Sequence, residues 1–413
     1  MKILGIITEY NPFHKGHAWQ LETTKKICEA DGVMTLMSGS ITQRGDFAII
    51  NKWERTQLAL ASGVDLVCEL PFGYACQSAE AFARGGVKIL NATGVCDFLS
   101  FGSELGELEP LKSLATILAK EPPEFKRLLT IALGTGVSFP KAREQAIRSL
   151  LGQKASTLLA TPNNILAIEY LKTLIVANST ITPITVKRQG AGYHSLDSKD
   201  YLSATGIRKI LLESLENNHL DSNSKLTLEN NLPYSIEALL TSMENVHSQG
   251  DERFLNALRV VILSRNVGHL KNTPYVTEGL EHKIRDALKT EKNLDALVDA
   301  IISKRIPKTR VRRILCNRIL ELDKNVLLSF QSPSFTPYLR VLGFNPKGQA
   351  ILRKIKRQGE IPILTNLSRG ERLLSPSQRE MLYYDIRATD LHNLFYEKDY
   401  LYHKDYTKSP ILF

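Results

Sequence analysis

The chain has 413 residues, of which 43% are hydrophobic and 23% are charged, and its formal net charge at pH 7 is +10. This composition is typical of a folded protein and excludes a largely disordered chain, a collagen-like chain and a small disulfide-stapled domain; the length predicts two or three domains at roughly 150 residues each. No run approaches the roughly 18 apolar residues of a transmembrane helix, and about six apolar positions before Glu9 are too few for a secretory signal, so we expect a soluble, cytoplasmic protein with no membrane partner.

The first 210 residues alternate between strand and helix patterns. Strands are predicted at residues 3–8, 32–37, 64–70, 97–101 and 181–187. Helices are predicted from about residue 17, at 53–61, at 78–90 and over about 110–177. Strands separated by helices indicate βαβ units, so we expect an α/β, Rossmann-like domain with a parallel sheet and a site at the carboxyl ends of its strands.

The composition changes after residue 215. The Asn-rich run 216–231 reads as a connector, residues 234–330 look mainly helical, and the Ser- and Pro-rich run 329–337 reads as a hinge. Short strands and basic helices are predicted beyond it. We therefore expect a catalytic domain over 1–215, a helical domain over 216–330 and a small basic C-terminal region over 331–413.

The positive charge is concentrated at the rear. Residues 301–413 hold the whole surplus of Lys and Arg over Asp and Glu, and residues 1–300 are nearly neutral. This division indicates a catalytic part joined to a part that binds a polyanion. A basic surface that serves only solubility is the alternative.

The five cysteines are odd in number and contain no CxxC pair. This pattern matches neither a zinc site nor an extracellular disulfide framework. We expect reduced thiols in the core, at Cys28, Cys68, Cys76, Cys96 and Cys316.

The strongest local signal follows the first strand, in the pattern His14-x-Gly16-His17. Gly16 lets a ligand approach the backbone, and the helix that begins nearby directs its positive end to the same place. Two imidazoles there can bind phosphate oxygens and stabilise charge at an α-phosphate. Chance, or a structural role at a helix start, is the alternative, but the position after the first strand favours function.

Two further segments fit phosphate chemistry. The turn Ser203-Ala204-Thr205-Gly206-Ile207-Arg208 offers hydroxyls and a guanidinium for the β- and γ-phosphates of ATP. The segment 43–55 carries Arg44, Lys52 and Arg55, and such cations would help two anions approach each other. A solvated helix face is the alternative for Lys52 and Arg55. Asp46 and Asp65 could orient cations or bind Mg²⁺ through water, or could be buried ion-pair partners.

The chain resembles the bacterial tRNA(Met) cytidine acetate ligase family, within the HxGH (HIGH-type) nucleotidyltransferase superfamily. The similar strings include EYNPFHKGH, QRGDFAIINKWERT, GVDLVCELPF, FGSE, PNNILAIEYLK, KRQGAGYHS, SATGIRK and RVLGFNPKGQAILRK. The resemblance implies that ATP and acetate form acetyl-adenylate and that the acetyl group passes to N4 of the wobble cytidine of elongator tRNA(Met). Acetyl-CoA is then not needed, and no KMSKS motif or acetyl-CoA-binding pattern (at 190–192) is met. Mg²⁺ is expected from ATP chemistry, without visible ligands.

The resemblance also assigns residues. ATP contacts are expected from Ile7, Thr8, Glu9, Tyr10, Asn11, Pro12, Phe13, His14, Lys15, Gly16, His17, Ala18, Trp19, Gln20, Gly102, Asn163, Arg188, Ser203, Thr205 and Arg208. Alone, Gly102 would read as a strand-end turn and Asn163 as a helix N-cap. We expect the catalytic groups to be His14, His17, Arg44, Asp46 and Lys52.

Two runs of cations in the rear suit RNA phosphates. They comprise Lys304, Arg305, Lys308, Arg310, Arg312, Arg313, Arg353, Lys354, Lys356 and Arg357. Two other functions fit part of the pattern: an adenylyltransferase acting on a small metabolite, and a non-catalytic RNA-binding protein with a degenerate nucleotide pocket.

Overall fold

The computed structural model describes residues 1–188, 201–277 and 279–413. The segment 190–192 therefore lies outside the described residues, as does most of the string KRQGAGYHS. Among the described residues, no helix is long and apolar enough to cross a membrane. The five cysteines are free and buried, as predicted.

A single mixed sheet organises the described part of the chain. Its strands are β1 (Ile3–Thr8), β2 (Gly32–Ser38), β3 (Leu66–Leu70), β4 (Phe98–Ser103), β5 (Thr182–Lys187), β6 (Leu339–Phe344), β7 (Ile363–Leu364) and β8 (Ile411–Leu412). The order is β5-β4-β1-β2-β3-β6-β7, with β8 also beside β6. Strands β1 to β5 pair parallel with one another, which confirms the predicted α/β fold.

Helices cover both faces of the parallel strands. The first ten are α1 (Lys15–Ile27), α2 (Lys52–Ala61), α3 (Phe72–Ala75), α4 (Ala79–Thr93), α5 (Leu108–Lys120), α6 (Pro123–Gly134), α7 (Phe139–Leu151), α8 (Gln153–Thr157), α9 (Pro162–Val176) and α10 (Ala204–Asn217). Every residue of β1, β2 and β3 is buried, as expected for parallel strands covered on both sides. Helix α4 packs closely against β1 at Gly86. A Cβ at this position would come 2.4 Å from Ile7 Cδ1, so a larger residue would require the Ile7 side chain to shift.

Within the described ranges, eight more helices precede β6 and four follow it. They are α11 (Ser222–Asn231), α12 (Ile236–Met243), α13 (Gly250–Leu263), α14 (Gly268–Lys271), α15 (Leu280–Thr290), α16 (Leu294–Ile301), α17 (Lys308–Ile319), α18 (Lys324–Phe330), α19 (Pro346–Gln358), α20 (Leu367–Gly370), α21 (Pro376–Tyr396) and α22 (Lys404–Thr407). The predicted connector over 216–231 is wrong for most of its length. Asp221 caps α11 by accepting from the backbone N–H groups of Asn223 and Ser224, which allows an Asn-rich run to be helical.

The rear of the chain extends the same sheet. Strand β6 pairs antiparallel with β3, and β7 and β8 pair parallel with β6. A buried ion network joins these parts: Lys52 Nζ lies 2.8 Å from Glu69 Oε1 and 2.9 Å from Asp405 Oδ2, and Arg340 contacts the same two carboxylates. The division into three domains stays a prediction, but β6, β7 and β8 from the end of the chain belong to the same sheet as the front strands.

Candidate active site

A cavity of about 700 Å³ opens at the carboxyl ends of β1 and β4. Its lining includes Thr8 and Glu9 from the end of β1, Gly102 from β4, and His17 and Gln20 from α1. This is the edge at which parallel α/β sheets bind their ligands, as the sequence predicts.

The two histidines are fixed as neutral hydrogen-bond donors. His14 Nδ1 accepts from the Gly16 N–H at 3.0 Å, and His17 Nδ1 accepts from the His14 N–H at 3.3 Å. Each neutral imidazole must then carry its proton on Nε2. Burial, aided by Arg188 and Arg208, lowers the pKa of His14 to about 3, and burial with His14 and Arg188 lowers the pKa of His17 well below its usual value. The stacked rings, 3.8 Å apart, therefore present uncharged N–H donors at the start of α1.

The turn that begins α10 lies against this loop. Arg208 Nη1 donates to the Asn11 carbonyl at 2.7 Å, and Arg208 Nη2 donates to Thr205 Oγ1 at 3.2 Å. Ser203 caps α10 by accepting from the Gly206 N–H. The structure thus brings together the two motifs that the sequence predicts to act on one ligand.

On the other side of the cavity, Glu104 positions two of the expected ATP residues. Its carboxylate accepts from Asn163 Nδ2 at 2.7 Å and from the backbone N–H groups of Asn163 and Asn164. Asn163 Oδ1 in turn accepts from Arg188 Nη1 at 3.2 Å. Asn163 is therefore not the N-cap of α9, and its side chain is committed to Arg188. Glu104 has no predicted site role, although it ends the FGSE string directly after β4.

Space beside Gly102 is limited by Arg188. A Cβ at residue 102 would lie 3.0 Å from Arg188 Cγ, so glycine leaves room for the arginine stem. Burial lowers the pKa of Arg188, and the nearby Arg44 lowers it further. Arg44 also lines the cavity, so two cations face it from different loops.

Lys52 and Arg55 are neither a solvated helix face nor part of the cavity lining. Lys52 has no exposed surface and is held by Glu69 and Asp405. Arg55, equally buried, donates to the carbonyls of Glu9, Ser38, Gly39 and Ile50, and so fixes the loops after β1 and β2. Burial lowers the pKa of Arg55 to about 10, so it stays charged at pH 7. We therefore correct the catalytic assignment of Lys52 to a structural one.

The predicted aspartates are also engaged in structure. Asp46 forms an ion pair of 2.5 Å with Arg312, outside the cavity lining, which corrects its assignment to the reacting centre. Asp65 accepts from the Val33 N–H and from Asn345 Nδ2. Among the described residues, no three His, Cys, Asp or Glu side chains are grouped to hold a metal ion.

Helix α17 extends from the surface to the cavity. Lys304, Arg305 and Lys308 are exposed around its start, whereas Thr309 and Arg313 line the cavity. The sequence places the basic rear apart from the ATP site, but this helix lies directly beside it. The cavity also has lining residues that the sequence did not single out, among them Gln43, Ser78, Glu80, Arg143, Glu169 and Tyr170.

The second basic run lies at the opposite end of the sheet. In α19, Ile351 packs against Gly32 at the start of β2, and Lys354 Nζ donates to the Met1 carbonyl. Arg353, Lys356 and Arg357 are exposed on this helix. Since strands of six residues span roughly 20 Å, the two basic runs face different ends of the molecule.

Known proteins resemble this chain over nearly its whole length. The sequence model of the family described as HIGH Nucleotidyl Transferase matches residues 1–407. A protein named tRNA(Met) cytidine acetate ligase from Thermoanaerobacter sp. (strain X514) is 42% identical over 404 residues, which cover 96% of each chain. A protein of the same name from Clostridium perfringens (strain SM101 / Type A) is 38% identical over 424 residues and covers 100% of both chains.

Solved structures show the same fold. The crystal structure of Thermotoga maritima TmcAL bound with α-thio ATP superposes with a TM-score of 0.89 at 29% identity, over 100% of this chain and 99% of that one. Its apo form gives a TM-score of 0.91 at 30% identity with the same coverage. Because the family match and the relatives extend over nearly the whole sequence, the chain belongs to the tRNA(Met) cytidine acetate ligase family of HIGH nucleotidyl transferases.

Proposed function

We propose that this protein is an ATP-dependent tRNA(Met) cytidine acetate ligase. It activates acetate as acetyl-adenylate and transfers the acetyl group to N4 of the wobble cytidine of elongator tRNA(Met), which forms N4-acetylcytidine without acetyl-CoA. The observation that carries the proposal is the convergence of two neutral imidazoles with Arg188 and Arg208 at the start of α1, in a chain of this family.

In the first step an acetate oxygen attacks the α-phosphorus of ATP, and the bond to the β-phosphate oxygen breaks to release pyrophosphate. The Nε2–H groups of His14 and His17 donate to the α-phosphate oxygens as charge develops there. Ser203, Thr205 and Arg208 hold the β- and γ-phosphates, and Asn163 with Arg188 holds the nucleoside side. Mg²⁺ would accompany ATP; among the described residues no three His, Cys, Asp or Glu side chains are grouped to hold it, and we derive no step through it.

In the second step the cytidine N4 attacks the acetyl carbonyl carbon. The bond from that carbon to the phosphate oxygen breaks, AMP leaves, and N4 loses one proton. Acetyl-adenylate and the wobble cytidine must meet in the cavity beside His17. The anticodon nucleotides of the tRNA therefore have to reach the carboxyl ends of the β-strands.

The direct test supplies the protein with labelled acetate, ATP and bulk tRNA and omits CoA. Label is expected in tRNA(Met), and digestion with mass analysis should identify N4-acetylcytidine. Pyrophosphate exchange that does not depend on acetate, with no label in any RNA, would instead indicate an adenylyltransferase of small metabolites. A folded protein that neither binds ATP nor labels RNA would contradict enzymatic function altogether.

The two basic runs allow a matched test of the RNA surface. One triple variant replaces Lys304, Arg305 and Lys308 with Gln, and the other replaces Arg353, Lys356 and Arg357 with Gln; each removes three charges. We expect the first to raise the KM for tRNA about tenfold and to lower the slope of log affinity against log salt by about 2. The second should change KM by less than about threefold, since its charges face the other end of the sheet. Equal effects would contradict this assignment.

Glu104 is expected to act as a positioning residue for ATP. Glu104→Gln replaces an acceptor of three N–H donors with an amide, so Asn163 and Arg188 lose their fixed orientation. The KM for ATP should rise about tenfold, the equivalent of one charge-assisted hydrogen bond of roughly 1.5 kcal/mol, with the KM for tRNA unchanged. Initial rates at varied ATP and varied tRNA measure both, and a rise in the KM for tRNA alone would contradict the role.

A further inference from the structure

Arg313 is a cation with an incomplete set of partners on the cavity wall. It lies on α17 and is half-buried, and its Nε has no hydrogen-bond partner among the described residues. Its Nη1 makes a long contact of 3.4 Å with the Gln43 carbonyl. The guanidinium carbon lies 5.7 Å from the ring centre of Tyr275.

Neighbouring arginines of the same helix are fully engaged. Arg312 bonds Asp46 at 2.5 Å and Asp295 at 2.7 Å, and Arg310 donates to the Tyr275 carbonyl and to Thr277. Arg313 forms no ion pair with any described residue, and burial lowers its pKa. A desolvated cation without a counter-ion costs free energy, which an anion bound in the cavity would offset.

The aromatic ring that packs against this arginine, that of Tyr275, is held rigidly. The Tyr275 hydroxyl donates to Gln77 Oε1 at 2.8 Å and accepts from the Ser78 N–H at 3.3 Å. Arg310 holds the carbonyl of the same tyrosine. A ring fixed at both ends limits the positions of the guanidinium above it, so the site for an anion is largely preformed.

The helix itself indicates which anion binds there. Thr309 lies one turn before Arg313 and also lines the cavity, so a hydroxyl and a guanidinium share one helix face. The exposed Lys304, Arg305 and Lys308 lie just outside. These groups form a basic track from the surface into the cavity, which suits a chain of phosphates better than a single carboxylate.

We infer that Thr309 and Arg313 bind a phosphodiester of the acceptor RNA, next to the nucleotide that enters the cavity. The inference rests on the proposed function and adds an inner anchor to it. The planar guanidinium donates to two phosphate oxygens and the Thr309 hydroxyl donates to one of them. With the RNA backbone held at α17, the nucleobase of the bound nucleotide extends toward the cavity wall that carries His17 and Arg188.

The test separates the two half-reactions in Arg313→Gln and Arg313→Lys. For Arg313→Gln, kcat/KM for acetyl transfer to tRNA should fall about 100-fold, as for other desolvated charge pairs, while acetate-dependent ATP–pyrophosphate exchange stays within about twofold. The slope of log affinity for tRNA against log salt concentration should fall by about 0.7, because this is the contribution of one phosphate contact to a single strand. Arg313→Lys should recover only part of the transfer rate, because a lysine lacks the two-pronged donor.

Thr309→Val keeps the shape of the helix face and provides a second variant if the arginine variants unfold. It should lower transfer about fivefold and leave exchange unchanged. Three results would overturn the inference: unchanged transfer in Thr309→Val and in the folded Arg313 variants, an equal fall in exchange, or a tenfold rise in the KM for acetate, which would make the anion acetate. If the wild-type protein exchanges pyrophosphate but labels no RNA, the proposed function itself fails, and the inference with it.

Discussion

His17→Ala is expected to lower the rate of acetyl-adenylate formation by about 10²- to 10³-fold. The imidazole is one of two neutral donors aimed at the α-phosphate, and the loss of one preorganised donor to a developing charge has effects of this size. Acetate-dependent ATP–pyrophosphate exchange measures the step without RNA. Binding of tRNA should remain nearly intact, because the exposed cations around the start of α17 lie outside this loop.

The same histidine also has a structural task, which a second variant separates from the chemistry. His17 Nδ1 accepts from the N–H of His14, and His14 Nδ1 accepts from Gly16, so the pair closes the start of α1 as a capping box. Glutamine is a natural residue at that third helical position, and His17→Gln should preserve the cap and the thermal midpoint. Exchange should still fall at least 100-fold. A near-normal rate in His17→Gln would mean that the histidine serves only the helix.

The corresponding control for the other ring is His14→Asn, since asparagine is a favoured N-cap. It retains an acceptor for the Gly16 N–H and removes the Nε2–H donor. We expect a loss similar to that of His17→Gln.

The parts of the site that the sequence predicts are those in which neighbouring residues act together. His14, Gly16 and His17 lie within one turn, and Ser203 to Arg208 form another, so their chemistry is visible as a local pattern. The strands of the front half were found for the same reason, because buried parallel strands are continuous apolar runs.

The remaining features depend on partners distant in sequence. Arg55 binds the carbonyl of Glu9, 46 residues away, and the role of Glu104 depends on Asn163, 59 residues away. Spacing on α2 correctly puts Lys52 and Arg55 one turn apart, but the ion pairs of Lys52 include Asp405 of α22, 353 residues away. The sequence groups Arg313 with the other cations of its run, because nothing there distinguishes the arginine that lines the cavity.

Lys52→Met should destabilise the protein by about 3–5 kcal/mol in the free energy of unfolding. The change removes one cation from a fully buried network and leaves Glu69 and Asp405 with Arg340 alone, and an uncompensated buried charge has a cost of this size. Denaturant unfolding at pH 7 measures the difference. Lys2→Met is the matched control, because it breaks an exposed pair with Glu29 and should change stability far less.

The pH dependence of the loss follows from Asp405. Burial alone would raise the pKa of Asp405, but the neighbouring cations Arg340 and Lys52 lower this pKa to about 2. A carboxyl group whose pKa is lower in the folded state stabilises the fold above its unfolded pKa and loses that contribution as the pH falls. In Lys52→Met the carboxyl group can take up a proton at a higher pH. The difference in the free energy of unfolding between wild type and Lys52→Met should therefore become smaller as the pH is lowered toward about 4.

The same variant decides between the structural and the catalytic role of Lys52. Well below its midpoint of unfolding, the folded fraction of Lys52→Met should catalyse ATP–pyrophosphate exchange within about threefold of wild type, because Arg55 still holds the loops after β1 and β2. A catalytic lysine would instead cost about 10²-fold or more at full folding. Such a loss of exchange, with an intact fold by circular dichroism, would show that Lys52 acts in catalysis. A reacting anion would then have to bind beside Glu69, whose negative charge repels an anion.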